Sequence, residues 1–125
     1  MTKKILDWQS EDIVEVYDEA PLWSAPFGKL LLDNIPMQPG WTVVDLGCGT
    51  GFPLVELAQR FGGNSQVIGV DIWKAALNRV RKKIARLELN HVEIIEKEAT
   101  LFQLTPKSVD LVCSNLGVNN FSKKE

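Results

Sequence analysis

The residues best suited to chemistry form a turn in which glycines alternate with small side chains: Gly47, Cys48, Gly49, Thr50 and Gly51. This segment is called the glycine turn. An apolar, β-branched run precedes it and is typical of a buried strand. Glycine lets the main chain bend sharply and lets a ligand approach it closely. A strand, a glycine turn and a following helix predict a nucleotide-type pocket at the carboxyl end of that strand.

A carboxylate ends the next apolar strand in a similar position. Asp71 lies 20 residues beyond Gly51, the distance at which an acidic strand end reaches ribose hydroxyls. A carboxylate accepts hydrogen bonds from both hydroxyls of a diol, so ribose suits it. The adjacent Ile72 and Trp73 offer apolar surface to a purine ring.

A third strand end carries Glu98 and Ala99. The Glu98 carboxylate is suited to accept from an exocyclic amino group, and the Ala99 backbone to pair with a ring nitrogen. In a parallel sheet the three strand ends lie on one edge, where ligands bind.

The spacing of the glycines indicates which nucleotide is bound. A pyrophosphate fingerprint needs G-x-G-x-x-G, whereas this turn reads G-x-G-x-G and Phe52 follows it. Asp45 lies two residues before the first glycine and is expected to point a carboxylate at the ligand cavity. A carboxylate suits an ammonium or sulfonium group and repels a pyrophosphate. The predicted ligand is therefore a nucleoside joined to a cationic amino-acid portion.

Two helices are predicted to precede this pocket. Ser10 and Pro21 bound the first, whose apolar stripe is Ile13, Val16, Tyr17 and Ala20. The second covers residues 27–34, with Leu30 and Leu31 on its apolar face. The aromatic residues of this region are expected either to form a lid over the site or to pack in the core, with equal weight: Trp8, Tyr17, Trp23 and Phe27.

Strands then alternate with helices, which predicts a parallel sheet with right-handed crossovers. The first strand ends at Leu46, and the second, third and fourth are predicted over residues 66–71, 92–96 and 109–113. The helix after Pro53 has the apolar residues Leu54, Leu57, Ala58 and Phe61. The helix over residues 74–90 has Leu77, Val80, Ile84 and Leu87, and its basic residues are interpreted as a solvated face: Lys74, Arg79, Arg81, Lys82, Lys83 and Arg86.

Residues 43–51 resemble motif I of class I S-adenosylmethionine-dependent methyltransferases, and the resemblance continues through residues 69–73, 98–99 and 108–117. It covers about residues 40–120. It implies an α/β, Rossmann-like parallel sheet of about four strands in the order 3-2-1-4, with flanking helices. We expect the cofactor domain over residues 37–125 and a helical cap segment over residues 1–36.

The resemblance implies S-adenosylmethionine as the cofactor, with contacts from Asp45, Gly47, Cys48, Gly49, Thr50, Gly51, Asp71, Ile72, Trp73, Glu98, Ala99 and Asn115. In the family the turn holds the methionine portion and ribose, and Asp71 takes the ribose hydroxyls. Ile72 and Trp73 would lie against adenine, and Glu98 with Ala99 at its edge. The family more often has Asp than Glu at the position of Glu98.

The implied reaction is methyl transfer to a small-molecule acceptor. No Pro-Pro follows Asn115, so the subclass that methylates amino groups of nucleic acids or protein amides is not supported. The sulfonium is already an activated donor, so the enzyme mainly aligns the acceptor, and no catalytic residue is assigned. The alternatives are a non-catalytic nucleotide-binding or interaction domain, disfavoured by the intact glycines, and a nicotinamide-dependent oxidoreductase, disfavoured by Phe52 and Asp45.

The composition limits which classes of partner the chain is expected to bind. A chain of 125 residues with 45% hydrophobic residues and a net charge of −2 has no field that attracts nucleic acid or anionic membrane. No apolar run approaches the roughly 20 residues that span a bilayer, so a cytoplasmic location is expected. Cys48 and Cys113 are interpreted as buried hydrophobes, His91 as a surface residue, and no metal site is predicted.

The class I fold has seven strands, and this sequence supplies candidates for four. We expect an N-terminal part of a longer enzyme, or alternatively a small protein that covers the open edge of the fourth strand by self-association. The 125-residue chain alone is expected to bind cofactor weakly and to show little or no turnover.

Overall fold

The computed structural model describes residues 6–20 and 24–115. Its elements in chain order are α1 (Glu11–Glu19), α2 (Ala25–Asp33), β1 (Thr42–Leu46), α3 (Leu54–Phe61), β2 (Gln66–Asp71), α4 (Lys74–Arg86), β3 (Val92–Glu96), a 3-10 turn (Ala99–Leu101) and β4 (Leu111–Cys113). No helix among these residues has the length and apolar character to cross a bilayer.

The four strands form one parallel sheet in the order β3-β2-β1-β4, which confirms the predicted topology. Strand β1 pairs with β2 on one side and β4 on the other, so Val44 faces both Ile68 and Val112 in register. Parallel pairing places the carboxyl ends of β1 and β2 side by side, and the glycine turn leaves from this edge.

Successive residues of a strand face opposite sides of the sheet. Val43 belongs to the larger core cluster, which α2, α3 and α4 cover through Leu32, Leu57 and Leu77. Val44 belongs to a smaller cluster on the other side, covered by Phe102 and Val109 of the β3–β4 connection. This alternation puts the Asp45 side chain on the helix-covered face.

Three predicted element boundaries are wrong. Helix α2 starts at Ala25 rather than residue 27, because proline is tolerated in the first helical turn and Pro26 lies there. Helix α4 ends at Arg86 rather than 90, because Glu88 adopts a positive φ of 54°. Leu87 is consequently exposed and Leu89 enters the core instead. Strand β4 begins at Leu111, and the preceding Asp110 uses its side chain to accept from the Thr42 N–H at 2.8 Å.

The predicted apolar faces of the first two helices are wrong in part, although the predicted Leu31 does pack against the core. In α1 the buried residue is Val14, while Val16 is 64% exposed. In α2 Leu32 is buried and Leu30 is exposed. Helix α1 packs on α4 mainly through charge: acidic side chains of α1 pair with Arg79, Lys82 and Lys83. Arg79 and Lys83 therefore line an interhelical contact and not the predicted solvated face, whereas Lys82 stays 70% exposed.

Candidate cofactor site at the carboxyl edge of the sheet

The glycine turn folds back over the end of β2. The N–H groups of Gly47 and Cys48 both donate to the Val70 carbonyl, at 2.7 and 3.1 Å. All three glycines have positive φ, and Gly51 has the largest, at 106°. A Cβ atom on Gly51 would lie 2.5 Å from Val80 Cγ2, so the turn needs glycine for conformation and for space.

Asp71 organises this edge through hydrogen bonds from backbone N–H groups of the chain itself. Its Oδ2 accepts from the Gly49 N–H at 2.8 Å, and its Oδ1 accepts from the Ile72 and Trp73 N–H groups at 2.7 and 3.0 Å. A carboxylate offers about four acceptor positions, so one is left for a ligand hydroxyl without rearrangement. The sequence did not indicate this structural role, which joins the glycine turn to the start of α4.

Asp45 is the most unusual side chain at the site. It has 0% exposure, and neither carboxylate oxygen has a hydrogen-bond partner. Burial, together with a smaller effect of the nearby negative charge of Asp71, raises its pKa to about 8. The Asp45 side chain lies on the helix-covered face of the sheet, in a strand flanked by β2 and β4. Its predicted contact with the ligand stays a prediction.

The two residues predicted to face adenine have different surroundings. Ile72 is 57% exposed at the end of β2 and presents an open apolar surface. Trp73 is held by the cap segment: its Nε1–H donates to the Trp8 carbonyl at 2.6 Å. The rings of Trp8 and Tyr17 meet it edge to face, with centroids at 5.8 and 4.9 Å. These two aromatic residues thus pack on Trp73 and lie outside both core clusters, while Trp23 falls outside the described residues.

The third strand end reaches the same edge. The Lys97 N–H donates to the Asp71 carbonyl at 2.9 Å, and Glu98 precedes the 3-10 turn that begins at Ala99. The structure therefore brings Glu98 and Ala99 beside Asp71, as the parallel topology predicts.

Asn115 lies near Phe52, the residue that follows the glycine turn: a Cβ atom on Gly28 would overlap the Phe52 ring and lie 3.1 Å from Asn115 Nδ2. Asn115 also belongs to a neighbouring cavity. It lines a cavity of about 360 Å³ between α2 and the end of β4, together with Ser114 and the side chains Phe27, Leu30, Leu31 and Asn34. Its Nδ2 donates to the Ser24 carbonyl at 3.4 Å. Phe27 lines this cavity and does not join the aromatic contacts of Trp73.

Residues 37–125 match the methyltransferase-domain family. The chain belongs to this family. It is 32% identical over 120 residues to an arsenite methyltransferase of Halobacterium salinarum, covering 96% of this chain and 30% of that protein. The chain spans less than half the length of the curated relatives that it matches.

Solved structures show the same fold. A SAM-dependent methyltransferase from Aquifex aeolicus superposes with a TM-score of 0.74 at 22% identity, covering 96% of this chain and 62% of that chain. Phosphoethanolamine N-methyltransferase 2 of Haemonchus contortus, solved with S-adenosylmethionine, gives a TM-score of 0.71 at 19% identity and covers 91% of this chain and 30% of its own. The family and its structural neighbours support S-adenosylmethionine as the cofactor of this methyltransferase domain.

Sequence reasoning missed the role of Asp18, a cap residue that reaches the site of the methyltransferase domain. Its neighbour Tyr17, which the sequence did single out, contacts Trp73, and burial with the Asp71 charge raises the pKa of its phenol. Asp18 pairs with Lys83, whose Nζ also donates to the Thr50 carbonyl of the glycine turn at 2.8 Å. The sequence did contain a signal for this contact between α1 and α4. Acidic residues lie three and four apart on α1, and Arg79 and Lys83 lie four apart on α4, so each set falls on one helix face.

The cysteines and the histidine show no arrangement for redox or metal chemistry within the described residues. Burial raises the pKa of the Cys48 thiol well above its usual value and that of Cys113 to about 12, so both are neutral thiols. His91 is partly buried, and its Nε2 lies 2.8 Å from the Ala58 carbonyl, so the predicted surface position needs correction. No group of three or more potential metal ligands occurs in the described part of the chain.

Proposed function

We propose that this chain supplies the cofactor site of an enzyme that transfers a methyl group from S-adenosylmethionine to a small-molecule acceptor. The observation that carries the proposal is Asp45, a wholly buried carboxylate without a hydrogen-bond partner at the base of the glycine turn. A buried carboxylate is costly unless a positive charge or hydrogen bonds compensate it.

A cationic amino-acid portion provides that compensation. A positive charge bound at the glycine turn favours the ionised form of Asp45, whereas a pyrophosphate there would add its negative charge to that of Asp71 and disfavour ionisation of Asp45. The electrostatics of this edge therefore support a nucleoside that bears an ammonium and a sulfonium.

The other contacts follow from position on the same edge. The backbone of the glycine turn lies against the methionine portion, and the remaining acceptor position of Asp71 takes a ribose hydroxyl. The open surface of Ile72 receives adenine, with Glu98 and Ala99 at its edge. Trp73 contributes through its edge-to-face contacts with the cap, and Asn115 contributes from the neighbouring cavity.

The cofactor supplies an electrophilic methyl carbon on a sulfonium. A nucleophilic atom of the acceptor forms a bond to that carbon as the carbon–sulfur bond breaks, and the acceptor's proton leaves to solvent. The chain's part is to hold the nucleoside, to fix the donor's orientation and to exclude water with the cap. No residue is assigned as a catalytic base.

The choice of a small-molecule acceptor rests on the names of the relatives, arsenite and phosphoethanolamine methyltransferases, and on the missing Pro-Pro after Asn115.

We also propose self-association through the outer edge of β4, which has one strand neighbour among the described residues and leaves Val112 54% exposed.

For the location of the protein we propose the cytoplasm, which the free thiols of Cys48 and Cys113 support.

Calorimetric titration tests the proposal at Asp45. S-adenosylhomocysteine carries the ammonium group, and 5′-methylthioadenosine lacks the amino-acid portion. Asp45→Asn is expected to lower the affinity for S-adenosylhomocysteine about 10-fold or more and to leave that for methylthioadenosine nearly unchanged. Asp110→Asn, at the opposite edge of the sheet, is the matched control. Equal losses for both ligands in Asp45→Asn would contradict the assigned role.

A further inference from the structure

A cluster of charges connects the cap helix α1 with the glycine turn. Lys83 on α4 donates to the Thr50 carbonyl at 2.8 Å and pairs with the Asp18 carboxylate on α1. Arg79, one turn earlier on α4, donates through Nε to the other oxygen of Asp18 at 2.9 Å. Three elements that are distant in sequence thus meet at one ammonium group.

The cluster is sheltered enough for its contacts to matter. The Asp18 side chain is 10% exposed, and those of Arg79 and Lys83 are 27% and 30% exposed. Burial alone would raise the pKa of Asp18, but hydrogen bonds from Lys83, Arg79 and the Thr50 side chain lower it. Glu15 and Glu19 complete the acidic side of the contact at 3.4 and 3.5 Å from Arg79.

The cluster also has a direct link to the bend of the turn. The Gly51 N–H donates to the Cys48 carbonyl at 3.0 Å, and its glycine conformation is fixed against Val80 of α4. The Thr50 carbonyl belongs to the peptide that joins Thr50 to Gly51, between Cys48 and the Gly51 N–H. The hydrogen bond from Lys83 to this carbonyl therefore fixes the orientation of the Thr50–Gly51 peptide.

We propose that Lys83 and Asp18 are positioning residues for the cofactor turn: Lys83 holds the Thr50 carbonyl, and Asp18 holds Lys83 when α1 is docked. Docking of the cap and the shape of the turn are thereby coupled. The effect on cofactor affinity rests on the proposed function, but the effect on the turn does not. Neither residue contacts the reacting atoms.

The chain contains a matched control for this proposal. Lys82 also joins α4 to α1, through Glu11 at 3.3 Å, but both side chains are about 70% exposed and the contact does not extend to the turn. Lys82→Met and Lys83→Met remove the same charge and one α1–α4 ion pair each. They differ in the contact with Thr50.

The first measurement is amide hydrogen exchange of the unliganded chain at Gly49 and Gly51. Lys83→Met is expected to speed exchange at these amides about 10-fold, and Lys82→Met less than about twofold. Lys83→Arg, which keeps the positive charge, is expected to recover part of the protection. Asp18→Asn serves as a second variant that weakens the support of Lys83 without removing its ammonium, and it is expected to give an intermediate rate.

The second measurement is the dissociation constant for S-adenosylhomocysteine by calorimetry, expected to rise about 10-fold in Lys83→Met and less than twofold in Lys82→Met. Equal effects of the two Met variants on exchange would overturn the positioning role. A wild-type chain that binds no S-adenosylhomocysteine contradicts the proposed function alone, because the exchange comparison still decides the role of Lys83.

Discussion

At the scale of single residues, Asp45 links the stability of the fold to pH. The protein places a carboxylate where burial raises its pKa from 3.8 to about 8. The folded chain therefore keeps a proton that the unfolded chain releases above about pH 4. This contribution to stability is full below about pH 4 and is lost as the pH rises through 8.

Asp45→Asn should remove that pH dependence, because the amide does not titrate. We compare the melting temperatures of the variant and the wild type, both without cofactor. The difference, variant minus wild type, is expected to be larger at pH 9 than at pH 5. Thermal unfolding followed by circular dichroism at the two pH values gives the comparison, with Asp110→Asn as the control. A difference between variant and wild type that is the same at pH 5 and pH 9 would show that Asp45 is not held neutral.

The glycines of the turn provide a second test at this scale. Gly49 and Gly51 both have positive φ, but a Cβ on Gly49 meets no atom within 4 Å, whereas one on Gly51 meets Val80. Gly49→Ala is expected to cost about 1 kcal/mol of backbone strain. Gly51→Ala adds overpacking of roughly 1–3 kcal/mol. Denaturant unfolding measures both, and equal costs would contradict the close contact with α4.

At the scale of elements, α1 is held mainly by charge pairs and by the contacts of Trp73 with Trp8 and Tyr17. The Asp18 carboxylate is central to the charged contact, and its pKa is lowered by Lys83 and Arg79 despite burial. Because the folded pKa lies below the unfolded one, this contribution is present above about pH 4 and disappears as the pH falls through the folded value.

Acidification should therefore release α1 before the sheet unfolds. We expect near-ultraviolet circular dichroism from the Trp73 cluster to change at a higher pH than the far-ultraviolet signal of the whole chain. In Asp18→Asn the near-ultraviolet signal should already be reduced at neutral pH. Coincident transitions of the two signals in wild type would contradict a separately held cap.

Elements were predictable where local pattern and burial agree. Strands β2 and β3 have the predicted bounds because both are apolar runs bordered by turn residues. The inward face of α1 was not predictable from its apolar stripe, since its partner is the basic surface of α4 and the Asp18 side chain, 10% exposed, lies on that face. The end of α4 was missed because Glu88 takes a left-handed conformation that is uncommon for a non-glycine residue.

At the scale of the whole molecule, parallel topology explains how much of the site the sequence revealed. Asp71, Glu98 and the glycine turn share one edge because the ends of parallel strands are adjacent. The contacts of Lys83 with Thr50 and of Tyr17 with the Asp71 region join residues far apart in sequence. No local pattern predicts such pairings, which depend on how α1 packs against α4.

The outer edge of β4 leads us to expect that copies of the chain associate with one another. Val112 is exposed there, beside backbone groups that β1 does not pair. We expect sedimentation equilibrium to show concentration-dependent self-association that Val112→Lys reduces. Exposed Leu30, on α2, changed to Lys is the matched surface control. A strictly monomeric wild-type chain would contradict the edge proposal.

The central claim is that the glycine turn and Asp71 bind a nucleoside with a cationic amino-acid portion. The most direct measurement is a nuclear magnetic resonance titration of the isotope-labelled chain, in parallel, with S-adenosylhomocysteine and with NAD. We predict saturable shifts of the Gly47, Gly49 and Ile72 amides with S-adenosylhomocysteine and no comparable shifts with NAD. Shifts with NAD alone, or with neither ligand, would contradict the binding of such a nucleoside at the glycine turn.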